Sequence, residues 1–582
     1  MSPGLRRGAS LLLLGLLSVP VRAAEERVEV GARYYATWEL LRGGHPLPPE
    51  LFRLGWPTSA DWQRLSLDLA AEPGGRLVQA GLASGAGLRL SSSEYMRSRF
   101  EKLKRGGSTL QGPLALLRGE LQAFRDMAGA PSQLFIPGGF DPVCIPAWKA
   151  VPTLQKPWNE LDLSTWEWVP VQNPEYRLEA LGFAMLAEAE YARQQLTHER
   201  TENLAGKQTK YIGRSGLDGF FALLALHSAL AKANELRSLI LDLKPLTMIV
   251  PPPANVLELN ELQCFFGPGW TTAVGTDARA AHSVLQGTEM QRSHLRGQAA
   301  VLLGLSHLAA LCDPSSTPGS FHQKLSGLAP APILDKSTLV ELVKLAVFTF
   351  RSMRTLHFDV REARALSISD GRTIAAADLG LYLTAIEAFM DLVKPPSGST
   401  AQSQLGQQPW KELIDEQKKG RTLLSALAAQ LSSWDDAKDP GLFDVYDVKN
   451  NLGQGKSRSL EAQAMCVRGL VATHKVLAKG SARSQYSATA ERLMRFLERD
   501  RWLGPAGTYL EPKVGNAPRQ AKLLGAASIL GALRELAIHT QDGRALMRYQ
   551  QCLVSLHARG LYRPPGDKSP PSLAVEVNES TQ

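Results

Sequence analysis

Five segments of this chain are apolar around their whole circumference, and they constrain its fold more than any other feature. The clearest one runs from Ser459 to Gly480 and reads SLEAQAMCVRGLVATHKVLAKG. A helix with no polar face must be surrounded by other helices. The other four segments read LDGFFALLALHSALAKA, LRGQAAVLLGLSHLAAL, IAAADLGLYLTAIEAFM and AKLLGAASILGALRELA. The chain therefore needs a helical core with more than one layer.

Amphipathic segments alternate with these apolar ones along the sequence. They read STLVELVKLAVFTFRSM, WKELIDEQKKGRTLLSALAAQL, YSATAERLMRFLERDRW and RALMRYQQCLVSLHARG, each with one charged face. Buried helices that alternate with half-buried ones predict two packed layers. From this periodicity we expect helices to begin near Gly112, Glu175, Gly216, Ala273, His294, Thr338, Thr373, Trp410, Ser459, Ser484, Arg519 and Arg544.

The connection that leads into an apolar helix also recurs. HFDV at His357, LFDVYDV at Leu442 and TYLEP at Thr508 each follow an amphipathic helix and precede a polar corner and an apolar helix. Phe358 and Phe443 are 85 residues apart, whereas Phe443 and Tyr509 are 66 apart. The order of the parts repeats and the spacing drifts, which indicates an architectural repeat.

Residues 173–560 resemble the (α/α) toroid proteins in this layer alternation and corner order. Six-hairpin glycosidases, sugar 2-epimerases and several polysaccharide lyases share that architecture, and no catalytic signature of theirs is matched residue by residue. The resemblance implies a mainly all-α fold, a toroid of about five to six helical hairpins with a mixed N-terminal extension. An open helical solenoid is the alternative, since it also alternates layers. The proline-rich inserts and uneven spacing favour the toroid.

The N-terminal segment predicts export. Arg6 and Arg7 precede the apolar run ASLLLLGLLSVPV, and Ala23 and Ala24 supply small residues for cleavage. This is the pattern of a secretory signal, so we expect a periplasmic or secreted protein without a transmembrane segment. The expected organisation is a signal peptide (1–24), a region of mixed structure (25–134), an ordered loop rich in proline and tryptophan (135–172), the toroid (173–560) and a disordered tail (561–582).

Charge and motifs exclude several function classes. Removing residues 1–24 removes three arginines and no acid, so the formal charge falls from +9 to +6 without a dense basic block. We therefore expect no nucleic-acid partner. The GQGKS stretch after Leu452 resembles a phosphate-binding loop, but Asn450 replaces its required glycine. No metal-binding motif appears, and neither a metal nor another cofactor is predicted.

Five cysteines in an exported chain leave at least one unpaired. Cys466 and Cys552 lie in apolar helical segments and are expected to be core residues. Cys264 and Cys312 flank loops, and the sequence leaves their pairing open.

In a toroid, polar residues at the N-terminal ends of the inner helices converge on one mouth, where helix dipoles favour anions. The acid/base candidates there are Asp218, Asp378, Glu461 and His294. The substrate-binding candidates are Arg214, Arg292, Arg372, Arg458, Arg519, Tyr446, Trp270 and Trp502, together with Arg296 beside His294. Capping of helix ends by Arg and Asp is the structural alternative for these residues.

The arginine at each corner predicts a carboxylated or sulfated sugar as ligand. The leading hypothesis is an exported carbohydrate-active or carbohydrate-binding protein that acts on an acidic polysaccharide or oligosaccharide, as a glycoside hydrolase or polysaccharide lyase if it is an enzyme. The alternative is a non-catalytic helical scaffold of the cell envelope that binds a protein partner.

Overall fold

The structure is a computed structural model of the 582-residue chain. It describes residues 31–32, 34–42, 147–148, 161–162, 167–168, 175–197, 199–204, 207–212, 226, 229–230, 232–234, 236–243, 247–248, 255–259, 264–273, 281–284, 291–313, 336–369, 371–392, 405–436, 440–477, 481–513, 515–516, 518–558, 561–563, 572–573 and 576–578.

Helices dominate these residues, and the prediction of a mainly α-helical chain is confirmed. The helices are α1 (residues 31–42, without residue 33), α2 (Leu178–Thr197), α3 (Leu295–Cys312), α4 (Lys336–Leu356), α5 (Ala376–Met390), α6 (Gln407–Ser432), α7 (Leu460–Val476), α8 (Ser481–Asp500), α9 (Leu523–Thr540) and α10 (Gly543–Ala558). Short 3₁₀ turns lie at Leu236–Leu239, Val256–Glu258 and Gly504–Ala506.

The strands are short and lie between the helices. They are β1 (Ala147–Trp148), β2 (Leu161–Asp162), β3 (Glu167–Trp168), β4 (Glu175–Arg177), β5 (Glu199–Leu204), β6 (Lys207–Ile212), β7 (Ile240–Asp242), β8 (Thr247–Met248), β9 (Cys264–Phe266), β10 (Gly269–Ala273), β11 (Ala281–Val284), β12 (Phe358–Asp359), β13 (Arg364–Ala365), β14 (Thr373–Ala375), β15 (Val445–Asp447), β16 (Leu452–Gln454), β17 (Trp502–Leu503), β18 (Thr508–Tyr509), β19 (Gln520–Lys522), β20 (Tyr562–Arg563), β21 (Ser572–Leu573) and β22 (Glu576–Asn578). The largest sheet has the order β1-β4-β10-β11.

The apolar helices pack side by side in chain order. Helix α2 contacts α3, α3 contacts α5, α5 contacts α7, and α7 contacts α9. Each amphipathic helix packs on one of them: α4 on α3, α6 on α5, α8 on α7 and α10 on α9. The inner helices are buried along most of their length, as helices without a polar face must be.

Glycines allow the inner helices to approach each other at backbone distance. A Cβ on Gly304 of α3 would lie 2.6 Å from the carbonyl oxygen of Gly182 on α2. In the next pair, a Cβ on Gly469 of α7 would lie 2.7 Å from the carbonyl oxygen of Gly380 on α5. A Cβ on Gly380 would in turn overlap the backbone of Met465. Glycine is therefore required at these positions, because the helix backbones lie too close together for a side chain.

Helix α1 belongs to the same core as the inner helices. The Tyr35 ring packs edge-on against Phe183 of α2, with centroids 5.1 Å apart. At the other end of α1, Arg42 binds Glu535 of α9 at 2.5 Å. Helix α1 thus contacts both α2, the first of the five inner helices, and α9, the last of them. The sequence VEVGARYYATWELLRGG does not distinguish a helix from a strand at this position.

The recurring connection has the predicted parts in all three places. Hairpin β12–β13 follows α4, strands β15 and β16 follow α6, and hairpin β17–β18 follows α8. The first two corners are joined, because β14, immediately before α5, pairs with β15. Each inner helix then starts within four residues of its expected position at Thr373, Ser459 or Arg519.

The GQGKS stretch forms a polar corner held by Asp444. Ser457 Oγ donates to Asp444 Oδ2 at 2.5 Å, and Ser459 donates to Asp444 Oδ1 from both its amide and its hydroxyl at 2.7 Å. Ser459 Oγ also accepts from the amide of Ala462 and caps α7. The groups that would face a phosphate therefore bind a carboxylate instead.

The helix predicted near Ala273 is wrong. Strand β10 pairs with β11 in antiparallel register, Trp270 opposite Val284 and Ala273 opposite Ala281. The β-branched Thr271, Thr272 and Val284 favour extended backbone, and pairing with β4 fixes it. The helix expected at Gly112 and the start of the one at Gly216 lie outside the described residues.

Part of the segment expected to be a disordered tail is a strand. Residues Glu576–Asn578 pair with Gln520–Lys522 just before α9. Alternation of apolar and polar residues in AVEVN suits a strand, and the open edge of β19 gives it a partner.

The described cysteines are all unpaired and buried: Cys264, Cys312, Cys466 and Cys552. The expectation of core thiols at Cys466 and Cys552 is confirmed. Cys264 and Cys312, whose pairing the sequence left open, are separate thiols, and Cys144 lies outside the described residues.

Two described helices, Leu295–Cys312 and Leu523–Thr540, are long and apolar enough to cross a membrane. Most of each lies buried among other helices, so their composition is that of core helices.

We expect Gly380→Ala to destabilise the protein, because the added methyl group overlaps the backbone of Met465. Overpacking of this kind costs about 1–3 kcal/mol. Chemical denaturation of both proteins measures the difference. The matched control is Gly543→Ala at the start of α10, where a Cβ meets nothing within 4 Å. If the two variants unfold at the same denaturant concentration, close packing at Gly380 does not contribute to the stability of the core.

Candidate active site

Three charged side chains lie at successive heights along one face of α7. Glu461, Arg468 and Lys475 are seven residues apart, so they lie on one side of the helix at successive depths. Each one forms ion pairs with residues of other helices. The level of Glu461 lies at the N-terminal ends of the inner helices, where the sequence predicts a site.

Arg296, in the first turn of α3, organises this level. Its Nε lies 2.7 Å from Glu179 Oε1 of α2, and its Nη2 lies 2.6 Å from Glu461 Oε1 of α7. Its Nη1 lies 3.7 Å from Asp378 Oδ1 of α5. Burial by itself would lower the pKa of Arg296, but the three carboxylates outweigh it and hold that pKa well above its ordinary value. Arg296 therefore stays charged and draws acids from three helices together.

Asp378 is the most deeply buried of the three carboxylates. Its side chain lies in the first turn of α5, and Oδ2 accepts a hydrogen bond of 2.5 Å from Ser367 Oγ. Ser367 Oγ in turn accepts from the Ala375 amide at 2.8 Å, which fixes the hydroxyl. Burial raises the pKa of Asp378, and Arg296 and Ser367 oppose that rise only in part. A carboxyl group with a raised pKa is suited to donate a proton.

A cavity of about 460 Å³ opens beside these groups. We call it the upper cavity. Its polar lining consists of Arg177, Glu179, His294, Arg296, Ser367, Thr373 and Asp378. Small and apolar residues such as Gly31, Pro268 and Val445 form the rest of its wall. The cavity is large enough for a small ligand, and several ionisable groups converge on it.

His294 lies at the position just before α3 and faces this cavity. Its backbone is extended and its side chain makes no capping hydrogen bond to the helix. The segment before it is fixed by a buried pair, since His357 Nε2 and Ser293 Oγ are 2.8 Å apart. Burial lowers the pKa of His357 to about 3, so the neutral ring accepts from the Ser293 hydroxyl and donates from Nδ1 to the Leu366 carbonyl.

Three of the four acid/base candidates from the sequence meet at this level. Asp378 and His294 line the cavity, and Glu461 is bound to Arg296 beside it. The fourth, Asp218, lies outside the described residues, as does Arg214.

The other predicted binding residues take different places. Arg292 and Arg372 are exposed at the corners, and Arg519 is half-buried before β19. Trp270 lies in β10, and its side chain is not described. None of these four residues is among those that line the cavity.

Three more predicted residues hold the framework together. Arg458 donates to the Pro440 carbonyl at 2.9 Å and lies over the Phe443 ring. Tyr446 stacks on Trp434 with centroids 3.8 Å apart. Trp502 packs edge-on against Tyr509 and beneath the Arg548 guanidinium. These contacts serve packing and the binding of backbone carbonyl groups, so they agree with a structural role for the three residues rather than with ligand binding.

Sequence reasoning missed Glu179 and Ser367. Glu179 lies in the first turn of α2, where the rule that selected Asp378 and Glu461 also applies, but the helix start was placed three residues too early at Glu175. Ser367 follows β13 in an irregular segment, and its role depends on the fold of the corner. No pattern in the sequence marks it.

Among the described residues, no three His, Cys, Asp or Glu side chains are grouped to hold a metal ion. The absence of a metal and of another cofactor remains a prediction.

Comparisons with known proteins give no family. No family model matches the chain, and no curated protein matches it. A crystal structure of D-mannose isomerase is similar to it at 12% identity and a TM-score of 0.37, over 61% of this chain and 74% of the other. A sugar epimerase from a ruminal bacterium is similar at 11% identity and a TM-score of 0.32, over 58% of this chain and 64% of the other, less than two thirds. At such scores neither likeness assigns a fold family or an activity.

Asp378 predicts a specific dependence of stability on pH. Its pKa is higher in the folded protein than in the unfolded chain, so folding favours its protonated form. The stability that this group contributes is fully present below its unfolded pKa of about 4 and is lost as the pH rises through the folded value. Asp378→Asn is uncharged at every pH and escapes that loss. We therefore expect the variant to gain stability relative to wild type between about pH 4 and about pH 7.5.

Thermal unfolding at both pH values measures this gain. Asp415→Asn on α6 is the matched control, because its carboxylate is about half exposed and pairs only with exposed Lys418 among the contacts of the described residues. An equal pH dependence in wild type and Asp378→Asn would contradict the effect of burial on Asp378.

Proposed function

We propose that the upper cavity binds a sugar and that the protein acts on it by acid/base chemistry. The observation that carries this proposal is the convergence of Asp378 and His294 on one cavity of about 460 Å³. Carboxylate, guanidinium and imidazole groups supply both donors and acceptors for hydroxyl groups.

Asp378 is the proposed proton donor and His294 the proposed acceptor. Burial raises the pKa of Asp378 and so favours a protonated carboxyl group at higher pH than usual. Glu461 is less suited to be a free base or nucleophile, because it binds Arg296 at 2.6 Å. The guanidinium also lies between Glu461 and Asp378, so this pair does not face a substrate across open space as glycoside hydrolysis requires. Proton transfer on a bound sugar therefore fits the arrangement better than hydrolysis by that pair.

The charge of the cavity favours an uncharged sugar over the acidic glycan expected from the sequence. Arg296 already pairs with three carboxylates, and Arg177, the second arginine of the lining, is engaged in an interaction of its own. Arg292 and Arg372 are not among the residues that line the cavity. An added carboxylate or sulfate would meet the carboxylate of Glu179 at close range, and like charges repel in a poorly solvated site.

We further propose that the inner helices form a closed (α/α) toroid with α1 as its sixth member. The support is that α1 contacts α2 through Tyr35 and α9 through Arg42, the two ends of the series. An open solenoid leaves its terminal helices apart.

We also propose export to the periplasm or the medium, supported by the N-terminal signal pattern. The alternative function, a non-catalytic scaffold that binds a protein partner, is an outcome of the test below.

Binding and turnover by the protein without residues 1–24 test the proposal. Neutral monosaccharides and disaccharides are compared with uronic acids and sulfated sugars by calorimetry and by analysis of the products. We expect binding and conversion of a neutral sugar. Asp378→Asn and His294→Gln should each lower kcat by about 10²–10⁴-fold, the usual contribution of an acid or base. Asp415→Asn on the outer helix α6 should leave kcat unchanged.

Two results would decide against the proposal. Preferential binding of acidic sugars would contradict the preference for an uncharged sugar and would support the acidic glycan predicted from the sequence. Failure of every sugar to bind, with both site variants folded, would favour the scaffold.

A further inference from the structure

A second, smaller chamber lies at the opposite ends of the inner helices. Its volume is about 130 Å³, and its polar lining consists of Arg42, Ser306, His307, Thr384, Glu387, Asp391, Arg468, Lys475 and Glu535. We call it the lower chamber. It is lined by residues of α1, α3, α5, α7 and α9, and it shares α1, α3 and α5 with the upper cavity.

Buried side chains lie at the level between the two spaces. Arg468 Nη1 donates to Tyr35 Oη at 2.6 Å and pairs with Glu39, and its guanidinium lies 4.3 Å from the centre of the Trp38 ring. All four residues are buried. None of the residues that line the upper cavity also lines the lower chamber.

The charges around the lower chamber balance one another. Lys475 pairs with Glu387 and lies 3.1 Å from Asp391. Arg42 pairs with Glu535 at 2.5 Å. Burial lowers the pKa of His307 to about 3, so this ring is neutral at ordinary pH. A ligand that enters the chamber therefore meets paired charges rather than an excess of one sign.

Hydrogen-bonding capacity is nevertheless left over there. Ser306 is 2% exposed, lines the chamber, and its hydroxyl has no hydrogen-bond partner among the described residues. Serine and threonine within helices commonly donate to the carbonyl four residues earlier. Thr384 in the same chamber does so to Gly380 at 3.0 Å, whereas Ser306 does not. Nη1 of Arg42 is also buried without a hydrogen-bond partner, 4.0 Å from Glu39 Oε1.

We propose that the lower chamber is a second ligand site, for a small uncharged polyhydroxylated molecule such as a short-chain polyol. Balanced charges disfavour an anion or a cation, whereas hydroxyl groups both donate and accept. The spare Ser306 hydroxyl and the carboxylate oxygens around it supply the complementary partners. The chamber has room for about four water molecules, which the hydroxyl groups of such a ligand would replace.

The proposal is independent of the reaction at the upper cavity. The test titrates the protein without residues 1–24 with erythritol, myo-inositol and D-glucose, and follows heat and the melting temperature. We expect at least one of these probes to bind and to raise the melting temperature by mass action.

Ser306→Ala separates ligand binding from folding. This substitution removes a buried hydroxyl that has no partner, so the variant without ligand should be at least as stable as wild type. Its affinity for the probe should fall about two- to tenfold, the contribution of one hydrogen bond. Ser528→Ala on α9 is the matched control, because that buried hydroxyl donates to Leu524 at 2.7 Å and lies outside the chamber lining. It should leave the affinity unchanged.

Asp378→Asn distinguishes this proposal from the proposed function. It should weaken binding or turnover at the upper cavity and leave the Ser306-dependent binding intact. If no probe binds, or if Ser306→Ala and Ser528→Ala bind it equally, the lower chamber holds water only and the proposal is overturned.

Discussion

Close contact between the inner helices is the constraint on which the rest of the structure depends. Glycine at Gly182 and Gly304, and again at Gly380 and Gly469, removes the side chains that would keep neighbouring helices apart. Neighbouring inner helices lie close together as a result, so one long side chain can reach several of them. Arg296 reaches carboxylates of α2, α5 and α7 for this reason. Wider spacing would leave those acids separate and hydrated.

Close packing of the helices also buries charged side chains. Most of these buried groups form ion pairs with a side chain of opposite charge. Arg468 is buried with Glu39, and Arg351 of α4 is buried with Glu416 of α6. An isolated buried charge costs far more than a paired one. Asp378 differs, because Nη1 of Arg296 is 3.7 Å from its Oδ1 while Nε and Nη2 of the same guanidinium bind two other acids. Burial raises the pKa of Asp378, and this weaker pairing opposes the rise only in part.

The sequence predicted the helical layers and the repeated corners because both follow from local patterns. Apolar residues around the whole of α7, and Ser459 before it, identify a buried helix and its cap without tertiary information. The convergence of Asp378, Glu461 and His294 followed from their positions at helix starts. The role of α1 did not follow, since this short helix is buried only through its contacts with helices that lie far away in the sequence. The strand β10 was missed because one of its partners, β4, is nearly a hundred residues away.

The polarity of α7 accounts for the different character of the two ends of the interior. An acid at Glu461 faces the positive end of the helix dipole, and a cation at Lys475 faces the negative end. On α5, Asp378 in the first turn also faces the positive end of its helix, whereas Glu387 and Asp391 near the other end pair with Lys475 of α7. The helix dipoles therefore favour the acids at the N-terminal ends, where Arg296 limits their mutual repulsion. Since burial still raises the pKa of Asp378 against both influences, loss of hydration is the largest effect at that carboxyl group.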